Sequence, residues 1–231
     1  MGRRTFGAVL SFMLLGVIAF ALAQTTPPSA PPGAKKTTSA QILGLGAAVL
    51  QRTAPVNQLD LYLNGFHFQH DRMDDQEEAH HYCHQMTEEF AQCVIFDGNG
   101  DEAKLIGVEH IISARLYRTL PPEEQHLWHP HHYEVKAGLL IAPGLPQAVE
   151  HKLMEKLVGT WGKTWHLWHP KRDELPIGQA SLMMGFTADG QIQPELVENR
   201  DRRFKSSTDE LRQQRADIEA PGAAVEGERG R

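Results

Sequence analysis

Histidine is the residue type in this chain that could carry the most chemistry. Most of its thirteen copies fall in four short segments. Neutral imidazole is the commonest protein ligand for zinc, copper, iron and nickel, so three or four of these side chains meeting in the fold would bind such an ion. The residues that we predict to line a metal site are His67, His80, His81, His129, His131, Glu134 and His166. No spacing among them is diagnostic, and scattered structural or surface roles are the alternative.

The chain lacks the local signatures of the common hydrolase and redox families. His80 and His84 have the spacing of zinc-protease helices, but His81 stands where the glutamate general base belongs. Neither a Gly-x-Ser-x-Gly nor a Cys-x-x-Cys sequence occurs. An enzyme would therefore be metal-dependent, with Glu134 or Glu109 as the acid or base.

The pentapeptide HLWHP occurs twice, at 126–130 and at 166–170. The residues that flank the two copies do not match, which argues against a duplicated unit. The first copy stands at the start of a predicted strand and the second at the end of another. The two copies therefore need not contribute equivalent ligands.

His67 belongs to the strand that must carry it into the core. Leu59, Leu61 and Leu63 alternate with polar residues, which is the period of a strand, and His67 shares their parity. We expect its side chain to point inward. There it is either a metal ligand or catalytic base, or a core histidine bonded to the backbone.

The other elements alternate between strand and helix. The predicted strands are 59–68, 79–86, 90–96, 104–108, 132–142, 161–168 and 181–187, and the predicted helices are 42–50, 109–120 and 145–158. This order favours an α+β fold, a single domain with a mostly antiparallel sheet and packed helices. A β-barrel is the main alternative.

The two cysteines, Cys83 and Cys93, lie in neighbouring predicted strands. If 79–86 and 90–96 form a hairpin around 87–89, the two residues stand directly opposite each other. A cross-strand pair is within disulfide reach, so we predict a Cys83–Cys93 disulfide. Two buried thiols are the alternative.

The ends of the chain differ from its centre in composition. Residues 1–23 join two arginines, an apolar run and an Ala-Leu-Ala ending, which is typical of a signal peptide and predicts a periplasmic or secreted protein. We predict a Pro/Thr/Ser-rich linker at 24–39, the folded domain at 40–204 and a polar, largely disordered tail at 205–231. The formal charge of −6 offers no basic surface for nucleic acid, so nucleic-acid binding is disfavoured.

Several stretches of the chain resemble the oil body-associated protein family, whose domain has no known function. They are LNGFHF (63–68), AHHYC (79–83), QCVIFD (92–97), LIGVE (105–109), LWHPH (127–131), GKTWH (162–166), LPIG (175–178) and LMMGF (182–186). The resemblance implies a role at seed lipid droplets for plant members, and it carries over no catalytic residue. Because His129 and His166 lie in these stretches, we favour them as ligands and expect His126 and His169 at the surface.

These observations predict an exported, bacterial-type member of this family with no assignable reaction, which holds zinc, copper or iron in a histidine-lined pocket. A metal-dependent enzyme that uses the same histidines is one alternative, and a protein associated with a lipid surface is the other. Lipid contact would need an exposed amphipathic face or a long apolar hairpin. The candidate, 42–50, is expected to pack on the sheet instead, and nothing in the sequence indicates a protein partner.

Overall fold

The computed structural model describes residues 33–51 and 53–219, so the predicted signal peptide and the end of the predicted tail lie outside the described residues. The strands are β1 (Leu61–Gln69), β2 (Arg72–Thr87), β3 (Phe90–Phe96), β4 (Leu105–Ser113), β5 (His129–Pro130), β6 (Thr160–His166) and β7 (Ser181–Met184). The helices are α1 (Thr38–Leu50), α2 (Ala114–Tyr117), α3 (Pro122–Gln125), α4 (His132–Lys136), α5 (Gln147–Leu157), α6 (Pro194–Phe204) and α7 (Thr208–Gln214). A 3-10 helix, Val56–Gln58, precedes β1.

Six of the strands form a closed antiparallel barrel. Strands β1 to β4 pair in chain order, β4 pairs with β6, β6 with β7, and β7 with β1, while β5 pairs with β6 outside this ring. Closure pairs both edges of the sheet. The predicted α+β fold with a sheet and packed helices is therefore wrong, and the alternative, a β-barrel, is the fold that forms.

Strand β4 explains why the barrel closes. We predicted a helix from residue 109 onward, because the apolar residues there fit a helical spacing. Residues 109–113 instead continue β4, and this extra length gives β4 a seven-residue pairing with β6, from Gly107 to Ser113. Ile111 faces the barrel interior, and Ile112 packs on the outside against Trp128 and Trp161. The two adjacent apolar residues are therefore buried on opposite faces of one strand.

The segment 132–142 is the second element that differs from prediction. Its start is the helix α4, and its end is an irregular buried stretch, not a strand. Ile141 exchanges two backbone hydrogen bonds with Asn64, each 2.8 Å long, and this bridge holds the stretch against β1. Residues 139–142 are all buried, and their apolar side chains led to the prediction of a strand, although the backbone there is irregular.

One end of the barrel interior is apolar and includes the two cysteines. Cys83 lies directly opposite Cys93, which is the register that the sequence predicts. The structure joins the two residues by a disulfide. They pack with Leu63 and Ile111 in the largest apolar cluster of the described residues, which α5 covers through Met154 and other side chains.

The C-terminal segment packs on the barrel, although we predicted a largely disordered tail from residue 205. The Arg215 side chain is buried and donates hydrogen bonds to the carbonyl oxygens of Val135 and Leu140, and it also pairs with Glu150. Ile218 joins the apolar cluster at the end of the barrel. The polar composition of this segment did not predict that it packs on the barrel, because the side chain that anchors it, Arg215, is itself charged.

Helix α1 contacts the rest of the protein least. None of its residues is buried, and Ile42, Leu43, Leu45, Val49 and Leu50 are each 64–84% exposed. The expectation that this segment packs on the sheet is therefore wrong. Within the described ranges, no helix combines the length and apolar character that a membrane crossing requires.

Candidate metal centre

Inward-facing side chains from β1, β2, β4 and β6, together with those from β5 and α4, meet in the middle of the barrel. They are His67, His81, Glu109, His129, His131, Glu134 and His166. Each is at most 4% exposed. Strand alternation explains four of them, His67, His81, Glu109 and His166, because every second residue of a barrel strand faces the interior. The other three come from the β5–α4 segment.

Glu109 is the centre of this cluster. Its Oε1 lies 3.2 Å from His131 Nε2 and 3.6 Å from His129 Nε2, and its Oε2 lies 3.0 Å from His81 Nε2. For a tetrahedral ion with bonds of about 2.0 to 2.2 Å, neighbouring ligand atoms stand about 3.3 to 3.6 Å apart. Each contact is close to that edge length, and the side chains whose donor atoms all lie within 4.8 Å of one another are His67, Glu109 and His129 in one group and His129, His131 and Glu134 in another.

His67 connects the cluster to a second histidine layer. Its ring centroid lies 5.1 Å from that of His81, 5.6 Å from that of His129 and 5.4 Å from that of His166, all in edge-on contacts. His67 thus contacts three other imidazole rings directly. Such packing brings ligand types together, and an ordinary apolar core does not.

Both ring nitrogens of His131 have a polar neighbour. The Thr160 hydroxyl donates to the carbonyl of Leu157 at 2.7 Å, so its oxygen accepts the hydrogen on His131 Nδ1, 2.8 Å away. In the neutral ring, Nε2 then presents a lone pair to the carboxylate oxygen of Glu109. Two acceptors 3.2 Å apart repel each other unless a proton or a metal cation lies between them.

Burial sets the charges of the cluster. It lowers the pKa of His129 to about 3 and lowers that of His67 well below its ordinary value, so both rings are neutral. Burial and the nearby Glu109 raise the pKa of Glu134 well above its usual range, so this side chain carries a proton. Although burial alone would raise the pKa of Glu109, its contacts with His131 and His81 lower it well below normal.

Unpaired ring nitrogens also face the carboxylate. Nε2 of His81 and Nε2 of His129 are buried without a hydrogen bond among the described residues, although both lie near Glu109. Burying a polar atom without a partner costs about 1 to 3 kcal/mol. These nitrogens are free to bind an ion.

Two glycines make room for the cluster. A Cβ atom on Gly162 would overlap Oε1 of Glu109 and lie 2.7 Å from His131 Nε2 and 2.9 Å from His129 Nε2. A Cβ on Gly185 would lie 2.5 Å from Glu134 Oε2. The donor atoms therefore converge where β6 carries no side chain.

The free space beside the cluster is very small. A cavity of about 10 Å³ lies between His67, His81, Glu109, His131 and Glu134. This is roughly the room that one water molecule needs. The space beside these donors therefore fits an ion or a water molecule, whereas a larger cavity of about 260 Å³ lies toward the apolar end of the barrel, lined by Leu61, Leu63, Cys83, Ile111 and others.

The structure brings together six of the seven predicted residues and leaves out His80. His80 is buried on the opposite side of β2, where its Nδ1 lies 2.7 Å from the Tyr62 hydroxyl. Because adjacent strand residues face opposite sides, His80 and His81 cannot both point inward. The alternation of side chains along β2 therefore places His81 in the cluster and His80 outside it.

Three further residues belong to the polar interior but were absent from the predicted set. Glu109 was assigned to a helix, and strand parity would have placed it inside had β4 been recognised. Glu77 and His169 contact each other at 3.2 Å. His169 is only 8% exposed, so the expectation that it lies at the surface is wrong, whereas His126 is exposed.

Fold and site together define a small closed β-barrel with a buried histidine–carboxylate cluster. Residues 53–219 match the family described as "Protein of unknown function (DUF1264)". The chain is 42% identical over 202 residues to oil body-associated protein 1B of Arabidopsis thaliana, covering 87% of this chain and 84% of the relative. It is 41% identical over 191 residues to oil body-associated protein 1A of Zea mays, covering 82% and 80% respectively. No solved structure matches.

The chain therefore belongs to the oil body-associated protein family. The family match includes residues up to 219, which agrees with the packing of α7 on the barrel. The predicted periplasmic or secreted location is wrong, because the relatives are plant proteins named for oil bodies, which points to lipid droplets. Nothing in the comparisons supports an exported, bacterial-type member.

Proposed function

We propose that this protein binds a divalent transition-metal ion inside its barrel, with Glu109, His129 and His131 as ligands and His81 beside them. The observation that carries the proposal is the convergence of three imidazole Nε2 atoms on the buried Glu109 carboxylate, at 3.0 Å from His81, 3.2 Å from His131 and 3.6 Å from His129. A cation among these atoms would accept a lone pair from each of them. Histidine and carboxylate ligands suit zinc, iron, copper and nickel.

Charge balance supports the same proposal. Among the described residues, the ion-pair contacts of Glu109 are all with histidines, and no lysine or arginine forms an ion pair with it. An ionised carboxylate buried without a compensating cation is strongly unfavourable. The neighbouring histidines supply that charge while they carry protons, and a metal ion would supply it in their place.

The narrow space beside the proposed ligands favours a metal-holding protein over a metal-dependent enzyme. A catalytic metal keeps one coordination position for water or substrate, and a substrate must reach it. Here the cavity has only about 10 Å³, and its walls include Leu63, Phe66 and Leu140. The ion would therefore stabilise the barrel by linking β4 to the β5–α4 segment.

Metal loading tests this proposal. Untagged protein is incubated with zinc, copper or iron, freed of excess ion and analysed for bound metal, and its thermal unfolding is followed. At a metal concentration of about 100 Kd, binding contributes about 2.7 kcal/mol, which raises Tm by roughly 5 to 10 °C. The Glu109→Gln variant keeps the shape of the side chain but should lose the central ion and this rise in Tm.

The matched control is Glu123→Gln, which changes an exposed glutamate in α3. It should bind metal like the unmodified protein. The proposal is wrong if the unmodified protein retains no ion, or if Glu109→Gln retains as much central ion as Glu123→Gln.

A lipid-droplet surface is the second candidate function, and the exposed helix α1 favours it. Its residues 42–50 contain no charged side chain, and their apolar groups surround the helix instead of forming one stripe. A helix that is apolar all round needs an apolar medium, not a groove that covers one face. The relatives' printed names, which refer to oil bodies, point the same way.

Flotation with phospholipid-coated triacylglycerol droplets tests the second candidate. Fully burying a Leu or Val side chain contributes about 1.5 to 3 kcal/mol, so Leu45→Glu with Val49→Glu should reduce partitioning by at least about 100-fold. The control is Val56→Glu, which changes an equally exposed apolar residue outside α1. Equal flotation of both variants would remove α1 as the lipid contact.

A further inference from the structure

A second histidine–carboxylate cluster lies next to the central one. Glu77 Oε1 is 2.6 Å from His166 Nδ1 and 3.2 Å from His169 Nδ1. All three residues are buried, and one donor atom from each lies within 4.8 Å of the others. The cluster repeats the composition of the central site, with one carboxylate among imidazole nitrogens.

The contacts of the Glu77 carboxylate are with imidazole nitrogens. In the described part of the chain, its ion-pair contacts are with His166 and His169 only, and no lysine or arginine pairs with it. Carboxylate oxygen and imidazole nitrogen are ligand types that divalent transition metals accept.

The outer nitrogens of both histidines already have neighbours. His166 Nε2 lies 3.4 Å from His67 Nδ1, and His169 Nε2 lies 3.4 Å from the Ser181 hydroxyl. Metal-binding histidines commonly place their second nitrogen against such a partner, which fixes the orientation of the ring. Both Nδ1 atoms are thus directed at Glu77, and a metal ion would take the place of the hydrogens between them.

We propose that Glu77, His166 and His169 bind a second transition-metal ion, beside the central ion and linked to it through the contact between His166 and His67. The proposal rests on the proposed function for the class of ion, but it uses a separate ligand set. The present donor spacings of 2.6 and 3.2 Å are shorter than the edges of a tetrahedral site, about 3.3 to 3.6 Å. Binding therefore requires the ligands to move apart by less than 1 Å.

His169 is the residue that can give this room. It follows β6 in the connection to β7, and at 8% exposed it is nearer to solvent than the central ligands, which are at most 4% exposed. The second ion would therefore enter and leave more easily than the central one. This difference provides a test that needs no variant.

Metal counting on the full-length, untagged protein loaded with zinc tests the second site. The unmodified protein should retain two ions per chain, and a chelator should remove them in a fast and a slow phase of equal size. Glu77→Gln and His169→Gln should each retain the slow ion alone, and Glu109→Gln should retain the fast ion alone. His126→Gln, which changes an exposed histidine of the other HLWHP copy, should retain both.

The outcomes separate this proposal from the central one. A single ion that Glu109→Gln removes and His169→Gln does not would overturn the second site and leave the proposed function intact. Two ions that persist in both Glu77→Gln and His169→Gln would also overturn it. Absence of any retained ion would overturn both proposals.

Discussion

Replacing Gly162 with alanine is expected to abolish binding of the central ion. The new methyl group would overlap the Glu109 carboxylate and press on Nε2 of both His129 and His131, so the three ligands could not converge. We expect the affinity for zinc to fall at least about 1000-fold, which corresponds to roughly 4 kcal/mol. Competition with a chromophoric chelator measures this change.

The same substitution also crowds the barrel of the metal-free protein. Overpacking a filled interior costs about 1 to 3 kcal/mol, so the metal-free variant should unfold at lower denaturant concentration. Gly100→Ala is the control, because Gly100 lies in an exposed turn where a Cβ would meet nothing within 4 Å. Unchanged zinc affinity in Gly162→Ala would show that the ion binds elsewhere.

Removing the segment after residue 205 is expected to unfold or severely destabilise the barrel. The truncation deletes Arg215, and with it two hydrogen bonds to buried carbonyl groups and the ion pair with Glu150. It also deletes Ile218 from the apolar cluster. Loss of one partner of a buried ion pair costs about 3 to 5 kcal/mol, a large share of a typical domain's stability.

A truncation after residue 219 is the matched control for this experiment. It removes only residues beyond the family match, so its free energy of unfolding in urea should equal that of the full chain. The chain truncated after residue 205 should lose metal binding as well. Arg215 donates a hydrogen bond to the carbonyl of Val135, and Val135 directly follows Glu134. Equal stability of the two truncations would contradict the anchoring role of Arg215.

Local patterns were enough to place several of the site residues. The alternation of residues in β1 predicts that His67 faces inward. A hairpin with its turn at 87–89 predicts that Cys83 lies opposite Cys93, and the structure confirms both. Both inferences need only the two-residue period of a strand and a short turn. Information of this kind is contained within about 20 residues of sequence.

The closed barrel and the carboxylates depend on pairings that local patterns do not show. Closure requires β4 to pair with β6, which lies some fifty residues further along the chain, and β7 to pair with β1. The apolar residues of 109–120 fit a helix as well as a strand, so Glu109 was assigned to the wrong element. Glu77 and His169 meet only because the barrel closes.

Anomalous X-ray scattering from crystals of the zinc-loaded, untagged protein tests the central claim most directly. Data collected on either side of the zinc absorption edge should give a peak inside the barrel, within about 2.0 to 2.2 Å of Glu109 Oε1 and of Nε2 of His129 and His131. Peaks confined to surface histidines, with no anomalous signal at Glu109, would contradict it.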